Sequence, residues 1–368
     1  MSLLLAIIAD DLTGALDTAS PFAALGFKVR VAIGPDHLDA ALGEAPEVIA
    51  VSTNSRALDP PAAAEVAAAT AQRLLAAAPA RFLKKVDSRL KGNVAAECAA
   101  ILGVIGAARI VAAPAVPEQG RRTEAGSVVG RGVAAPIDIA AAFAAPGVRV
   151  DVADAASAAE LDAVVENLRT GDLAAGARGL GAALARKLAS ERAGGEPGDV
   201  AAPAPAPIAS RTTLFAIGSR DPITAVQIER LSLGRGIAVV DAPDGALPPP
   251  PAGLPLVLRC TDGAAGTAAD PDDVAARFAA GVADWVAAAS PEALVTGGGD
   301  TAFAVFRQLG AGVLAPGGEV LPGLPWMWLR LPNGRRLWCV VKSGGFGADD
   351  ALSALFSKEP ERFVPVDA

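Results

Sequence analysis

Short apolar runs recur along this chain, and each breaks at a polar or glycine turn before a stretch of helical period begins. Residues 3–9 read as a buried strand, 10–14 as its turn and 15–25 as a helix. Residues 28–33 and 48–52 repeat the strand pattern, Pro60 opens an alanine-rich helix to about residue 78, and residues 81–86 form the next strand. A helix over 95–102, strands at 109–113 and 151–153, and helices at 161–168 and 182–188 follow. A second series runs from a strand at 213–217 through a helix at 223–231, strands at 237–240 and 256–260, and a helix at 272–289. It closes with a strand at 293–295, a helix at 302–309 and a strand at 337–341. Strands alternating with helices predict an α/β fold in which helices cover both faces of a parallel sheet. Residues 194–210 carry Gly, Pro and Ala without a hydrophobic period and read as a linker. The expected fold class is therefore two α/β domains, residues 1–193 and 211–368, each with a largely parallel sheet flanked by helices.

The polar segments fall where strands end. In open α/β sheets that carboxyl edge is where ligands bind, so these segments are expected to converge on one cleft. Asp10-Asp11-Leu12-Thr13-Gly14 sets two carboxylates directly after the first strand. Like charges this close resist joint ionisation unless a cation or a substrate hydroxyl relieves them, and one could accept a proton from an alcohol. The competing role is helix capping by Asp11 or Thr13. Asn54-Ser55-Arg56 follows the third strand. Lys84-Lys85-Val86-Asp87-Ser88-Arg89-Leu90-Lys91-Gly92-Asn93 gathers three lysines, an arginine and an aspartate in ten residues. That mixture would grip a small anion, with arginine bidentate and lysine a point charge; the competing role is a solvated loop. Pro117-Glu118-Gln119-Gly120-Arg121 adds a turn with an arginine.

Two further segments carry consecutive glycines after a strand, Thr296-Gly297-Gly298-Gly299-Asp300-Thr301 and Lys342-Ser343-Gly344-Gly345-Phe346-Gly347. Converging backbone N–H groups and a helix N-terminus suit a phosphate, although neither segment fits the Walker or dinucleotide pattern. Gly218-Ser219 is a third strand-end turn.

Composition narrows the chemistry. The chain has 368 residues, 52% of them hydrophobic, ample for two cores. Only seven of its 32 basic residues are lysine, and four of those seven (Lys84, Lys85, Lys91, Lys342) lie in the polar motifs. With a net charge of −8 and no basic stripe interleaved with aromatics, nucleic-acid binding is not expected. No apolar run reaches the roughly 20 residues of a membrane span, and a cytoplasmic location is expected. Cys98, Cys260 and Cys339 show neither metal spacing nor a disulfide framework. There is one histidine, His37, and no tyrosine, so the chemistry rests on carboxylates, Lys, Arg, hydroxyls and backbone.

Taken together and in order, the segments 9–15, 52–56, 84–93, 113–121, 218–219, 298–301 and 342–347 resemble the four-carbon acid sugar kinases. The resemblance implies an acid-sugar-binding N-terminal domain and a nucleotide-binding C-terminal domain, with ATP and Mg²⁺, and phosphorylation of a tetronate or 3-oxo-tetronate at its terminal hydroxyl. It places Asp11 and Asp87 in the substrate cleft as candidate catalytic carboxylates; the like charge of Asp10 beside Asp11 and the cations around Asp87 favour Asp11 as the base. Asp10, Asn54, Arg56, Lys85, Arg89, Asn93 and Arg121 would line the substrate site. Ser219, Gly297, Gly298, Gly299, Asp300, Thr301, Lys342, Ser343, Gly344 and Gly345 would hold the nucleotide, with no dedicated protein ligand for the metal. The stretch 123–146 is compressed relative to the family's pattern, Gly297 is an extra glycine and Gly345 stands where other residues are common. A small-molecule acid is the expected partner, self-association is left open, and a non-catalytic sensor of sugar acid and nucleotide is the alternative reading.

Overall fold

The computed structural model describes residues 2–194, 212–250, 253–263, 269–321 and 323–356. The chain divides into two units, Met1–Pro203 and Ala204–Ala368. Apart from Gly194, the expected linker lies outside the described residues.

The N-terminal unit runs β1 (Leu5–Ala9), α1 (Leu12–Ala24), β2 (Val29–Ala32), α2 (Leu38–Gly43), β3 (Val48–Ser52), α3 (Pro60–Ala76), β4 (Arg81–Lys85), α4 (Val94–Ile105) and β5 (Arg109–Ala113). It continues with β6 (Arg121–Glu124), β7 (Ser127–Gly130), β8 (Ile137–Asp138), α5 (Ile139–Ala142), β9 (Val150–Val152), α6 (Ala158–Glu166), β10 (Asp172–Gly176) and α7 (Arg178–Arg192). Its main sheet has the order β2-β3-β1-β4-β10-β5-β9, and every pairing in it is parallel. All five residues of β1 and of β3 are buried, as a parallel sheet covered on both faces requires. Helices α1 and α7 pack together, as do α3 and α4. β6, β7 and β8 form a separate three-stranded antiparallel meander.

The C-terminal unit runs β11 (Thr213–Ile217), α8 (Pro222–Arg235), β12 (Ala238–Pro243), β13 (Leu256–Thr261), α9 (Pro271–Ala289), β14 (Ala293–Gly297), α10 (Gly299–Gln308), β15 (Val313–Leu321), β16 (Leu324–Arg330) and β17 (Arg336–Lys342). Its strands lie in the order β12-β13-β11-β14-β17-β16-β15. The first five are mutually parallel, and β16 and β15 complete the row as an antiparallel hairpin. Phe215, Ile217, Leu231, Val257, Trp338 and Val340 stand at the centre of its core.

Three elements depart from the sequence expectation. No strand is expected between the helices at 161–168 and 182–188, yet β10 lies there and sits between β4 and β5 in the sheet. Its sequence, Asp172-Leu-Ala-Ala-Gly176, lacks β-branched residues; a Cβ at Gly176 would sit 2.5 Å from the Ala113 carbonyl oxygen, so close strand contact selects the small residue. The β15–β16 hairpin was not foreseen, because Pro316, Gly317 and Gly318 inside β15 read as breakers. The register shifts there, and Gly317 makes room for the Trp326 ring, which a Cβ would approach to 2.2 Å. The meander occupies the compressed stretch. All three cysteines are buried and free, and no described helix is long and apolar enough to cross a membrane.

Candidate functional site

In the N-terminal unit the carboxyl ends of β1, β3 and β4 sit side by side, because Ala9 pairs with both Ser52 and Lys85. The turns that follow carry the predicted residues. Asp11 is the N-cap of α1: its Oδ1 accepts the Gly14 N–H at 2.7 Å, and its Oδ2 accepts the Thr13 hydroxyl at 3.2 Å. Capping and site geometry are therefore the same arrangement. Arg56 bridges the two carboxylates, with Nε and Nη2 at 2.8 and 2.9 Å from Asp10 and Nη1 at 2.7 Å from Asp11. Burial pushes the Asp10 carboxyl up, but Lys84, Arg56 and Lys85 outweigh it and hold Asp10 below the ordinary carboxylate range. Burial works against the Arg56 charge in the same way, and Asp10, Asp11 and Asp87 overcome it, raising the guanidinium further.

Lys85 is buried, and its Nζ lies 2.8 Å from where a Cβ on Gly14 would stand, so the missing side chain opens the space for the ammonium. Burial lowers the Lys85 pKa, but Asp17, Asp11, Asp10 and Asp87 reverse the shift. Lys84, next in sequence, points to the opposite face of β4. There it forms a buried ion pair with Glu97 at 2.5 Å, and Glu97 also accepts the Ser55 hydroxyl at 2.7 Å. Asp87 accepts the Arg89 backbone N–H at 2.9 Å through Oδ1. Arg121, from the start of the meander, bonds the Ser88 hydroxyl and donates to the Arg131 carbonyl at 3.1 Å.

Two predicted residues hold the scaffold. Asn54, at φ +50°, donates to the Ile33 carbonyl at 3.0 Å and accepts from Ser52 at 2.8 Å. Asn93 donates to the carbonyls of Ser55 and Leu58 at 3.1 and 2.9 Å, tying the loop after β3 to α4. Sequence reasoning missed Asp17, on the second turn of α1. Burial raises its carboxyl to about 6, against the pull of Lys85 and Arg178. Its signal was a lone acid in the apolar run Ala15-Leu16-Asp17-Thr18-Ala19.

In the C-terminal unit three turns meet at the ends of β11, β14 and β17. The N–H groups of Gly218 and Ser219 both donate to the Gly297 carbonyl at 3.0 Å, and the Gly298 N–H donates to the Lys342 carbonyl at 2.9 Å. The approach is too close for side chains. A Cβ on Gly218 would fall 2.0 Å from Thr301 Oγ1, and one on Gly344 2.7 Å from Ser219 Oγ. Gly298, at φ +109°, is the N-cap of α10, so Gly299, Asp300 and Thr301 form that helix's first turn. A cleft of about 500 Å³ opens over Ser219, Gly298, Gly299, Asp300, Thr301 and Gly344. Gly345 packs on Asp221, the N-cap of α8. Lys342 does not reach the cleft: its buried ammonium donates to the carbonyls of Gly344 and Ser343 and to the Thr224 hydroxyl, at 2.5, 3.1 and 3.3 Å. Burial lowers its pKa to about 8 despite Asp221. It braces the loop from beneath. No group of His, Cys, Asp and Glu among the described residues is placed to hold a metal ion.

Comparison with known proteins finds two family models along the chain. Residues 5–138 match the family model described as a sugar-binding N-terminal domain, and residues 257–352 match that of a nucleotide-binding C-terminal domain. The chain is 32% identical to a D-threonate kinase of Bordetella bronchiseptica over 94% of this chain and 95% of that protein. It is 28% identical to a 3-oxo-tetronate kinase of Cupriavidus necator over 94% and 95%. A solved Salmonella typhimurium LT2 protein, 18% identical over 96% of this chain and 98% of that one, superposes with a TM-score of 0.73 and shares the fold. With seven motifs in family order and this similarity along nearly the whole length, the chain belongs to the four-carbon acid sugar kinase family.

Proposed function

We propose that the protein is an ATP-dependent kinase that transfers phosphate to the terminal hydroxyl of a four-carbon acid sugar, a tetronate or 3-oxo-tetronate. The carrying observation is the cluster of Asp10, Asp11, Arg56, Lys85 and Asp87 at one sheet edge, beside arginines that could take a carboxylate. It is an alcohol-handling group of carboxylates and cations that needs no histidine. The three glycine turns support nucleotide binding, since the missing side chains at 218, 298 and 344 leave room over the cleft and the α10 N-terminus adds positive potential for a phosphate. Mg²⁺ would arrive on the nucleotide's phosphates and neutralise their charge.

Phosphoryl transfer demands mainly in-line positioning and charge neutralisation. Arg56 and Lys85 supply fixed positive charge, and the carboxylates orient them. Both oxygens of Asp11 already accept hydrogen bonds, whereas Asp87 uses only Oδ1 among the described residues. A carboxylate whose two oxygens are both occupied has little room left to accept from a substrate hydroxyl. The geometry thus favours Asp87 for taking the hydroxyl proton, and Asp11 for holding Arg56 and the start of α1.

The test is ADP release by the purified protein with ATP, Mg²⁺ and a panel of D- and L-threonate, D-erythronate and 3-oxo-tetronates. Turnover with at least one acid, and none with the matching tetritols, is expected. Binding of both ligands without ADP release would instead support the sensor reading.

A further inference from the structure

The meander brings a residue to the substrate edge that nothing above assigns. Its first two strands pair antiparallel, Arg121 opposite Gly130, and glycine permits the close approach at their end: a Cβ on Gly130 would lie 2.1 Å from the Gly120 carbonyl oxygen. That contact carries the Arg131 N–H to the same carbonyl at 2.9 Å, and Arg121 Nε back to the Arg131 carbonyl at 3.1 Å. Arg131 is thereby pinned beside Arg121. From the other side, the turn after β4, with Leu90 at φ +56°, presents Arg89. Its Nη1 reaches within 3.9 Å of a Cβ position on Gly132, the residue after Arg131. Three guanidinium-bearing residues from two elements therefore share one corner.

Asp87 and Asp17 offset part of the positive charge at this corner without forming an ion pair with any of the three arginines. Glu118 pairs with Arg178, and Asp87 Oδ1 takes a backbone N–H. Neither Arg89 nor Arg131 has a carboxylate partner among the described residues. Arg121 spends its bonds on a hydroxyl and a carbonyl. Burial and then Arg89 lower its pKa, with Asp87 opposing and Arg131 adding to the effect. Cations crowded in this way are relieved by an anion, and guanidinium groups match a carboxylate fork to fork.

We infer that Arg131 completes, with Arg89 and Arg121, a cradle for the carboxylate of the acceptor, and that it sets a preference for ionised acids over uncharged polyols. This rests on the acid sugar kinase reading and extends it, since Arg131 lies in the compressed stretch 123–146. Arg131 is exposed, so its replacement is compatible with an intact fold.

The experiment measures full-length wild type, Arg131→Ala and Arg131→Lys in two ways: steady-state ADP release with the best tetronate, and calorimetric titration of D-threonate without nucleotide. Arg131→Ala should raise both KM for the acid and Kd for D-threonate by about 10- to 100-fold, as expected for a lost charge-assisted bond. KM for ATP should stay within about twofold, and Arg131→Lys should recover part of the loss. If wild type turns over and Arg131→Ala leaves acid KM and Kd unchanged, the cradle is wrong and the kinase reading survives. A wild type that binds D-threonate but turns over no tetronate, with Kd weakened by Arg131→Ala, keeps the cradle and overturns the kinase reading. Failure of the wild type both to bind and to turn over any tetronate overturns both.

Discussion

Lys84 and Lys85 are adjacent in sequence and serve opposite faces of one strand. Lys85 faces the carboxylates at the site; Lys84 pairs with Glu97 on α4, where both side chains are 1% exposed, and reaches the site only through its charge on Asp10. A one-residue difference separates a site group from a buried structural pair, and alternation along the strand decides it. Breaking that pair should be costly. Glu97→Ala leaves a buried ammonium unpartnered, and a loss of about 3–5 kcal/mol in denaturant unfolding is expected; a loss below about 1 kcal/mol would mean that Lys84 finds water or another acceptor. The base assignment is tested with both substrates saturating: Asp87→Asn should lower kcat by about 10²- to 10⁴-fold with binding largely kept, while Asp11→Asn should act mainly on KM. The reverse pattern would return the base role to Asp11. Asp17 makes a pH prediction. Its folded pKa, about 6, lies above the ordinary carboxylate value because of burial, so its contribution to stability is full below the unfolded pKa and is lost as pH rises through the folded one. Asp17→Asn removes that loss, and the melting temperature of the variant relative to wild type should rise between pH 4 and pH 7. Parallel curves would show that Asp17 does not titrate there.

Elements were legible from the sequence where apolar runs were long and ended in polar turns. β1, β3, β4, β5, β11 and β14 fall where the pattern put them, within a residue or two, because a strand buried on both faces must be continuously apolar. β10 and β15 were illegible for the opposite reason: close backbone approach selected Gly and Ala, which carry no strand signature. The same limit applies to the candidate site. Asp11, Arg56 and Lys85 could be picked out because charge directly after a strand is unusual, and the structure brings them together. Lys342, at the end of β17, shares that position yet bonds backbone carbonyls, a distinction set by side-chain direction, which no motif encodes. Arg131 follows a hairpin whose pairing depends on the close approach of Gly130 to the Gly120 carbonyl. The three glycine turns yield an element-scale prediction. Gly218→Ala drives a methyl group into Thr301 and displaces the start of α10. A stability cost of about 1–3 kcal/mol is expected, together with loss of the ATP-dependent rise in melting temperature. A variant that keeps the full rise would take the Gly218 turn out of the nucleotide site.

At the scale of the whole molecule, nucleotide and acid sugar are assigned to different units, so each ligand should protect the chain by mass action on its own. Saturation at 100 times Kd is worth about 2.7 kcal/mol per ligand, and a melting-temperature rise with ATP and Mg²⁺ should persist in Arg89→Ala while the rise with the acid sugar shrinks. Loss of the ATP effect in that variant would mean that the domain assignment is reversed. The insertion of β10 between β4 and β5 has a consequence of another kind, for how the chain is made. Residues 81–85 and 109–113 leave the ribosome long before residues 172–176, which alone join them. Until then the growing sheet is split, β4 and β5 each expose an unsatisfied hydrogen-bonding edge, and the carboxyl ends that carry Lys85 and the segment after Ala113 have no fixed spacing. The emerging chain would be vulnerable to aggregation through this interval. A stalled-ribosome series probed by protease should show protection of residues 81–113 appearing in one step, only after the strand Asp172–Gly176 has cleared the exit tunnel.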